Sequence, residues 1–107
     1  VALVTGGGTG IGFEVAWQIG LHGARGVVLF GRRQRFLDEA VAILAEEGVQ
    51  AKAVVGDVRR PDDCAAAVAK ARHAFGALDI LVNGAAGNFL AAAEQISPNG
   101  FKTVMEI

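Results

Sequence analysis

A glycine-rich turn near the start of this chain joins a strand to a helix and restricts the folds that the chain can adopt. Residues 1–5 form an apolar run typical of a buried parallel strand, and residues 13–19 follow a helical pattern. Five glycines lie between them, within residues 6–12. Because glycine has no Cβ, such a turn lets a phosphate approach the backbone amides at the helix N-terminus. The segment predicts a binding site for the pyrophosphate of a dinucleotide, with a glycine-rich turn that binds no ligand as the alternative.

The spacing of these glycines distinguishes between known phosphate-binding patterns. The pattern G-x-G-x-x-G fits in no register, and G-x-x-x-x-G-K-[ST] fails because Phe13 stands where the lysine must be. The pattern T-G-x-x-x-G-I-G does fit, from Thr5 to Gly12, and it resembles the short-chain dehydrogenase/reductase superfamily. The resemblance implies contacts with a bound dinucleotide for a set of residues in this turn: Gly6, Gly8, Thr9, Gly10, Ile11 and Gly12.

Strand and helix patterns alternate along the rest of the chain. The predicted strands are 26–30, 51–55 and 78–82, and the predicted helices are 36–47, 61–75 and one that begins at Ser97 and Pro98. Such alternation favours a parallel sheet with helices on both faces. The predicted fold class is therefore α/β, a Rossmann-type doubly wound parallel sheet with strand order 3-2-1-4. We expect residues 1–107 to be the N-terminal part of a single domain of this type, truncated at the C-terminus.

The end of the second predicted strand indicates which dinucleotide is bound. An NAD-binding protein has a carboxylate here for the ribose 2′-hydroxyl, whereas this chain has Gly31, Arg32 and Arg33. A guanidinium is a bidentate partner for a 2′-phosphate. We therefore expect NADPH as the cofactor, contacts from Arg32 and Arg33, and an NADP-binding domain. Solvent-exposed arginines at the start of a helix are the alternative.

Asp57, Val58 and Arg59 follow the third predicted strand. The superfamily resemblance implies that the Asp57 side chain bonds the adenine amino group and that the Val58 amide meets a ring nitrogen. A turn or helix-capping aspartate is the alternative for Asp57. For Arg59, contact with an anionic substrate and exposure to solvent are both open interpretations.

The segment after the fourth predicted strand resembles the N-N-A-G segment of the superfamily, with Gly84 in place of the second asparagine. By this resemblance Asn83, Ala85 and Gly87 lie along the cofactor, where small residues let the nicotinamide ribose approach the backbone. For Asn83 we favour a structural role, in which its side chain ties the central strands together.

Two further strings are similar to the 2,4-dienoyl-CoA reductases, and most similar to their peroxisomal branch. They are A-A-G-N-F at residues 85–89 and S-P-N-G-F-K-T-V at residues 97–104. The resemblance implies hydride transfer from NADPH to a conjugated dienoyl-CoA thioester, giving a 3-enoyl-CoA in the β-oxidation of unsaturated fatty acids. It implies that Asn88 donates to the thioester oxygen, where negative charge develops, and that Phe89 lines the acyl slot. A loop residue bonding its own backbone and ordinary core packing are the respective alternatives.

The proton donor of such a reaction is expected beyond Ile107, because the chain contains no tyrosine for the superfamily's Y-x-x-x-K motif. We therefore expect residues 1–107 to be inactive alone. Two other functions stay open. One is a short-chain reductase acting on a carbonyl such as a 3-oxoacyl thioester, and the other is a non-catalytic dinucleotide-binding module.

Composition restricts the partners. A net charge of -1 and an apolar content of 52% are typical of a soluble α/β protein and unlike a disordered or nucleic-acid-binding one. No apolar run approaches the ~18 residues of a membrane span, and no Cys/His spacing indicates a metal site. The expected partner is a fatty acyl-CoA substrate, with neither nucleic acid nor membrane. By resemblance, the full-length protein is expected to be a peroxisomal homo-oligomer.

Overall fold

The computed structural model describes residues 1–87 and 90–107 and contains one parallel sheet. The strands in these residues are β1 Ala2–Thr5, β2 Val27–Gly31, β3 Ala51–Val55 and β4 Ile80–Asn83. β1 lies between β2 and β4, and β3 pairs with the other side of β2, so the order is β3-β2-β1-β4. The predicted α/β fold class and its 3-2-1-4 strand order are confirmed.

The helices are α1 Gly10–Leu21, α2 Gln34–Glu46, α3 Pro61–Phe75 and α4 Pro98–Met105. α1 begins earlier than its apolar pattern, because glycine is a poor helix former and the periodicity becomes visible only after Gly12. A short 3-10 helix, Ala93–Gln95, precedes α4 and has no counterpart in the sequence prediction. None of the helices within the described ranges is long and apolar enough to cross a membrane.

The ends of α3 and α4 follow from local sequence. Pro61 occupies the first turn of α3, where its missing N–H is not needed, and Gly76 ends this helix with a φ of 79°. That left-handed conformation is favourable for glycine. At the start of α4, the Ser97 Oγ accepts a hydrogen bond of 2.9 Å from the Gly100 amide. The helix start predicted at Ser97 and Pro98 is therefore confirmed, with Ser97 as the N-cap.

β1 and β2 are buried on both faces of the sheet. On one face Val4 and Leu29 pack with residues of α1 and α2, and on the other Leu3 and Phe30 pack with residues of α3. This arrangement follows from the alternation of side chains along a strand. β4 is far more open, since Leu81 is 57% exposed. The core therefore lies over β1 and β2 and fixes the positions of their carboxyl ends.

Candidate functional site

A groove of about 310 Å³ runs along the carboxyl ends of the strands. In open α/β sheets, ligands bind at this edge, near the point where the strand order reverses. Residues that follow each of the four strands contribute to the groove, together with the start of α2. The sequence-predicted site residues that line it are Gly6, Gly8, Thr9, Arg32, Arg33, Asp57, Val58, Arg59 and Ala85.

Other predicted residues lie beside the groove. Gly10, Ile11 and Gly12 form the first turn of α1, and Ile11 is 85% exposed. Asn83 is exposed at the end of β4, in register with Thr5 of β1, and Gly87 lies further along the chain. The predicted substrate contacts Asn88 and Phe89 fall outside the described residues.

Thr5 links β1 to the segment that follows β4. Its hydroxyl accepts hydrogen bonds from the amides of Gly84 at 3.0 Å and Ala85 at 3.2 Å, and it donates to the Val82 carbonyl at 3.4 Å. Thr5 is 8% exposed, so these bonds satisfy polar groups in a partly buried position. It thus makes the kind of side-chain link between central strands that the sequence analysis favoured for Asn83. The signal that points to Thr5 is a polar residue ending a wholly apolar strand.

The glycine turn after β1 packs backbone against backbone with the segment after β4. A Cβ placed on Gly6, whose φ is 66°, would lie 2.6 Å from the Gly84 carbonyl oxygen, and one on Gly84 would lie 2.6 Å from the Thr5 carbonyl oxygen. Neither position has room for a side chain. The glycine at position 84, where the superfamily segment has asparagine, therefore has a steric reason in this chain.

Two arginines form a positively charged wall of the groove. Arg32 and Arg33 both line it, and the Arg33 guanidinium lies 5.6 Å from the centroid of the Phe36 ring, in a cation–π arrangement. Among the described residues, neither arginine takes part in a salt bridge. Their charges are therefore available to an anionic ligand.

The loop after β3 carries a close ion pair that lines the groove. The Arg59 Nη2 lies 2.7 Å from Asp57 Oδ2, and the Arg59 backbone N–H donates to Asp57 Oδ1 at 2.9 Å. The guanidinium hydrogen bond, followed by the backbone one, holds the pKa of Asp57 well below its usual range. In turn, Asp57 raises the pKa of Arg59. The pair is ionised at neutral pH, and Asp57 is both a turn aspartate and a groove residue.

Several groove residues were not predicted as site residues. Phe36, Leu37 and Ile107 supply apolar surface, and Gly56 brings the β3 loop close to Phe30. A Cβ on Gly56 would lie 2.6 Å from Phe30 Cε2. A glycine directly after a predicted strand is a usable signal for such a close approach. Phe36 and Leu37, by contrast, look in sequence like the ordinary apolar positions of a helix.

The combined surface fits an elongated anionic ligand that also carries a flat apolar group. Glycine backbone at the start of α1 offers room for phosphates, the arginines offer positive charge, and Phe36 and Val58 offer apolar contact. Within residues 1–87 and 90–107, no group of His, Cys, Asp and Glu is arranged to hold a metal ion.

Comparisons with known proteins agree with this geometry. The family model described as short chain dehydrogenase matches residues 1–107. A peroxisomal 2,4-dienoyl-CoA reductase, (3E)-enoyl-CoA-producing, from Arabidopsis thaliana is 56% identical over 107 residues, which are 100% of this chain and 36% of the relative. A protein of the same name from Danio rerio is 42% identical over 107 residues, with the same coverage of 100% and 36%. The resemblance to peroxisomal 2,4-dienoyl-CoA reductases is confirmed.

Solved structures share the fold. L-Sorbose reductase from Gluconobacter frateurii, complexed with NADPH and L-sorbose, superposes with a TM-score of 0.87 at 33% identity. The match covers 98% of this chain and 40% of that protein. This chain spans about 36% of the length of the curated relatives it matches.

Proposed function

The chain belongs to the short-chain dehydrogenase family, and from this premise we propose that it is the cofactor-binding part of an NADPH-dependent 2,4-dienoyl-CoA reductase. The reaction would convert a 2,4-dienoyl-CoA to a 3-enoyl-CoA during the β-oxidation of unsaturated fatty acids. The observation that carries this proposal is the 56% identity, over the whole chain, to a peroxisomal 2,4-dienoyl-CoA reductase. The names of the relatives also support a peroxisomal location.

The groove residues divide between the parts of the proposed cofactor. Gly6, Gly8 and Thr9 would hold the pyrophosphate against the start of α1, with Gly10, Ile11 and Gly12 forming that first turn.

Arg32 and Arg33, which have no salt-bridge partner among the described residues, would hold the 2′-phosphate. Asp57 and Val58 would contact the adenine. When bound, NADPH would supply the hydride.

The segment after β4 would bring the substrate to the nicotinamide end. Asn83, Ala85 and Gly87 are proposed to lie along this end of the cofactor. Asn88 is proposed to stabilise negative charge on the thioester oxygen, and Phe89 to line the acyl slot. The proton donor is proposed to lie beyond residue 107, in an NADP-binding domain of which this chain is the N-terminal part. The full-length protein is proposed to be a homo-oligomer that acts on fatty acyl-CoA.

A carbonyl reductase is the second candidate. The observation that favours it is the similarity to L-sorbose reductase, whose structure holds NADPH. A reductase of a substrate such as a 3-oxoacyl-CoA would bind its cofactor in the same groove. Its site would differ only where the acyl group binds.

A direct assay separates the two candidates. The full-length protein is mixed with NADPH and either a 2,4-dienoyl-CoA or a 3-oxoacyl-CoA, and NADPH oxidation is followed at equal substrate concentration. We expect turnover with the dienoyl-CoA, and NMR of the product should place the remaining double bond at carbon 3. Turnover confined to the 3-oxoacyl-CoA would establish the second candidate instead.

A further inference from the structure

The Arg59 side chain turns back onto the carboxylate two residues before it. Arg59 Nε lies 3.1 Å from both Asp57 oxygens, Nη2 lies 2.7 Å from Oδ2, and the Arg59 amide lies 2.9 Å from Oδ1. One residue therefore holds both oxygens of the carboxylate with its backbone and its side chain. The Asp57 side chain is 16% exposed, whereas that of Arg59 is 44% exposed. The carboxylate is the enclosed partner and the guanidinium forms its outer cover.

The backbone around this pair is fixed independently of it. The Asp57 amide donates to Asp63 Oδ2 at 2.9 Å, and the Asp57 carbonyl accepts from the Arg60 amide at 2.9 Å. The Gly56 amide donates to the Gly31 carbonyl of β2 at 2.8 Å. These bonds fix the path of the loop backbone. The contacts from Arg59 therefore serve to orient the Asp57 side chain.

The number of N–H groups that donate to Asp57 determines how many further hydrogen bonds its carboxylate can accept. An ionised carboxylate has roughly four acceptor sites on its two oxygens. Three N–H groups of Arg59 point at Asp57, namely the backbone amide, Nε and Nη2. The Nε hydrogen is shared between the two oxygens, so three hydrogens make four contacts with a carboxylate that lines the groove. Three hydrogens do not saturate two carboxylate oxygens, and the remaining acceptor capacity suits an N–H from an amino group of a ligand.

We propose that Arg59 is a positioning residue that orients the Asp57 carboxylate to recognise the 6-amino group of the adenine ring, and so sets the base specificity of the cofactor site. This inference rests on the proposed binding of NADPH. Arg59 itself would touch no part of the cofactor, since its guanidinium is engaged by Asp57. The hydrogen bond from Arg59 also holds the pKa of the Asp57 carboxyl below its usual range, which extends its ionised form to more acidic pH.

The test replaces Arg59 in the full-length protein and measures base preference. Arg59→Gln removes the guanidinium and keeps a polar side chain. Arg60→Gln is the matched control, since Arg60 is the adjacent exposed arginine and its replacement removes the same charge. Each protein is titrated with NADPH and with its hypoxanthine analogue, in which a carbonyl oxygen replaces the 6-amino group. The ratio of the two dissociation constants cancels the effect of a lost charge on phosphate binding.

The wild type and Arg60→Gln are expected to bind NADPH more tightly than the hypoxanthine analogue. Arg59→Gln should reduce this preference by about tenfold, which corresponds to a loss of about 1.4 kcal/mol. Arg59→Lys keeps the charge without the planar fork and should recover only part of the preference. A change confined to loop stability would weaken both ligands equally and leave the ratio unchanged.

The possible results distinguish a failure of the Arg59 positioning role from a failure of NADPH binding. An unchanged ratio in Arg59→Gln, with NADPH still bound, overturns the positioning role and leaves NADPH binding intact. Equal binding of the two ligands by the wild type also overturns it, because Asp57 then does not recognise the amino group. A wild type that binds neither ligand overturns the proposed function, and the role of Arg59 with it.

Discussion

The β1–β2 half of the sheet and the β4–α4 region differ sharply in how completely they are packed. Val4, Val27 and Leu29 have no exposed surface, whereas Leu81 is 57% and Met105 is 68% exposed. Most residues that line the groove belong to the well-packed side, although Gly84, Ala85 and Ala86 line it from the β4 side. The predicted substrate contacts follow β4. The proposed cofactor end is thus supported largely by the packed core around β1 and β2, whereas the β4–α4 region lacks comparable cover within the described residues.

The largest effect is expected when residues 1–107 are expressed alone. β4 would present an open strand edge, and apolar residues of α4 such as Phe101, 62% exposed, would face water. Unpaired strand edges promote association, and backbone ordering costs roughly 1–2 kcal/mol per residue. We expect aggregation on gel filtration, no cooperative thermal transition and no NADPH oxidation with a dienoyl-CoA. A soluble monomer that melts cooperatively would show that β4 and α4 need no further cover to be stable.

Replacing Asn88 tests whether the β4 side serves chemistry separately from cofactor binding. In the full-length protein, Asn88→Ala is expected to lower kcat/KM for a dienoyl-CoA by about 10²–10³-fold, as for loss of an oxyanion donor. The dissociation constant of NADPH should stay near that of the wild type. Asn99→Ala, which removes an exposed amide in the first turn of α4, is the control. An equal loss of NADPH affinity in Asn88→Ala would assign the residue to the cofactor end.

Replacing Arg32 tests the cofactor end directly. Arg32→Asp is expected to shift preference from NADPH towards NADH, because it removes a charge-assisted phosphate contact of roughly 1.5–3 kcal/mol. Arg35→Asp is the matched control, since Arg35 is a nearby arginine in the first turn of α2 that pairs with Glu39. Titration with both dinucleotides gives the ratio. Unchanged selectivity in Arg32→Asp would remove Arg32 from the site.

A smaller effect is expected at Thr5, which joins the two regions. Thr5→Val keeps the shape of the side chain but leaves the Ala85 amide without the hydroxyl acceptor, whereas the Gly84 amide keeps its 3.1 Å hydrogen bond to the Thr5 carbonyl. Such a loss costs about 1–3 kcal/mol in the free energy of unfolding, measured by denaturant titration of the full-length protein. Thr5→Ser retains the hydroxyl and should lie close to the wild type. If both variants unfold alike, the hydroxyl is not what connects β1 to the segment after β4.

The elements that the sequence predicted best are those determined by local signals. The third strand has the predicted bounds, and α3 runs from Pro61 to Phe75 as predicted, because a proline and a glycine mark its ends. The start of α1 was predicted too late, since its first turn is built from glycines that carry no apolar pattern. The strand order followed from the general rules of parallel sheets.

The details of the site depended on contacts that sequence spacing does not encode. The pairing of Arg59 with Asp57 depends on the path of one loop, and an arginine two residues after an aspartate has many other conformations. The apposition of Gly6 and Gly84 joins segments that are far apart in the chain. The sequence shows that charged residues and glycines follow the predicted strands. Which of these residues contact each other depends on the folded backbone.

We propose that the groove at the carboxyl edge of the sheet binds NADPH through its 2′-phosphate. Isothermal titration of the full-length protein with NADPH and with NADH measures the contribution of that phosphate. We expect NADPH to bind at least about tenfold more tightly, since a charge-assisted contact contributes more than the roughly 1.4 kcal/mol that this factor represents. Equal affinity for the two dinucleotides, or tighter binding of NADH, would show that the groove does not recognise the 2′-phosphate.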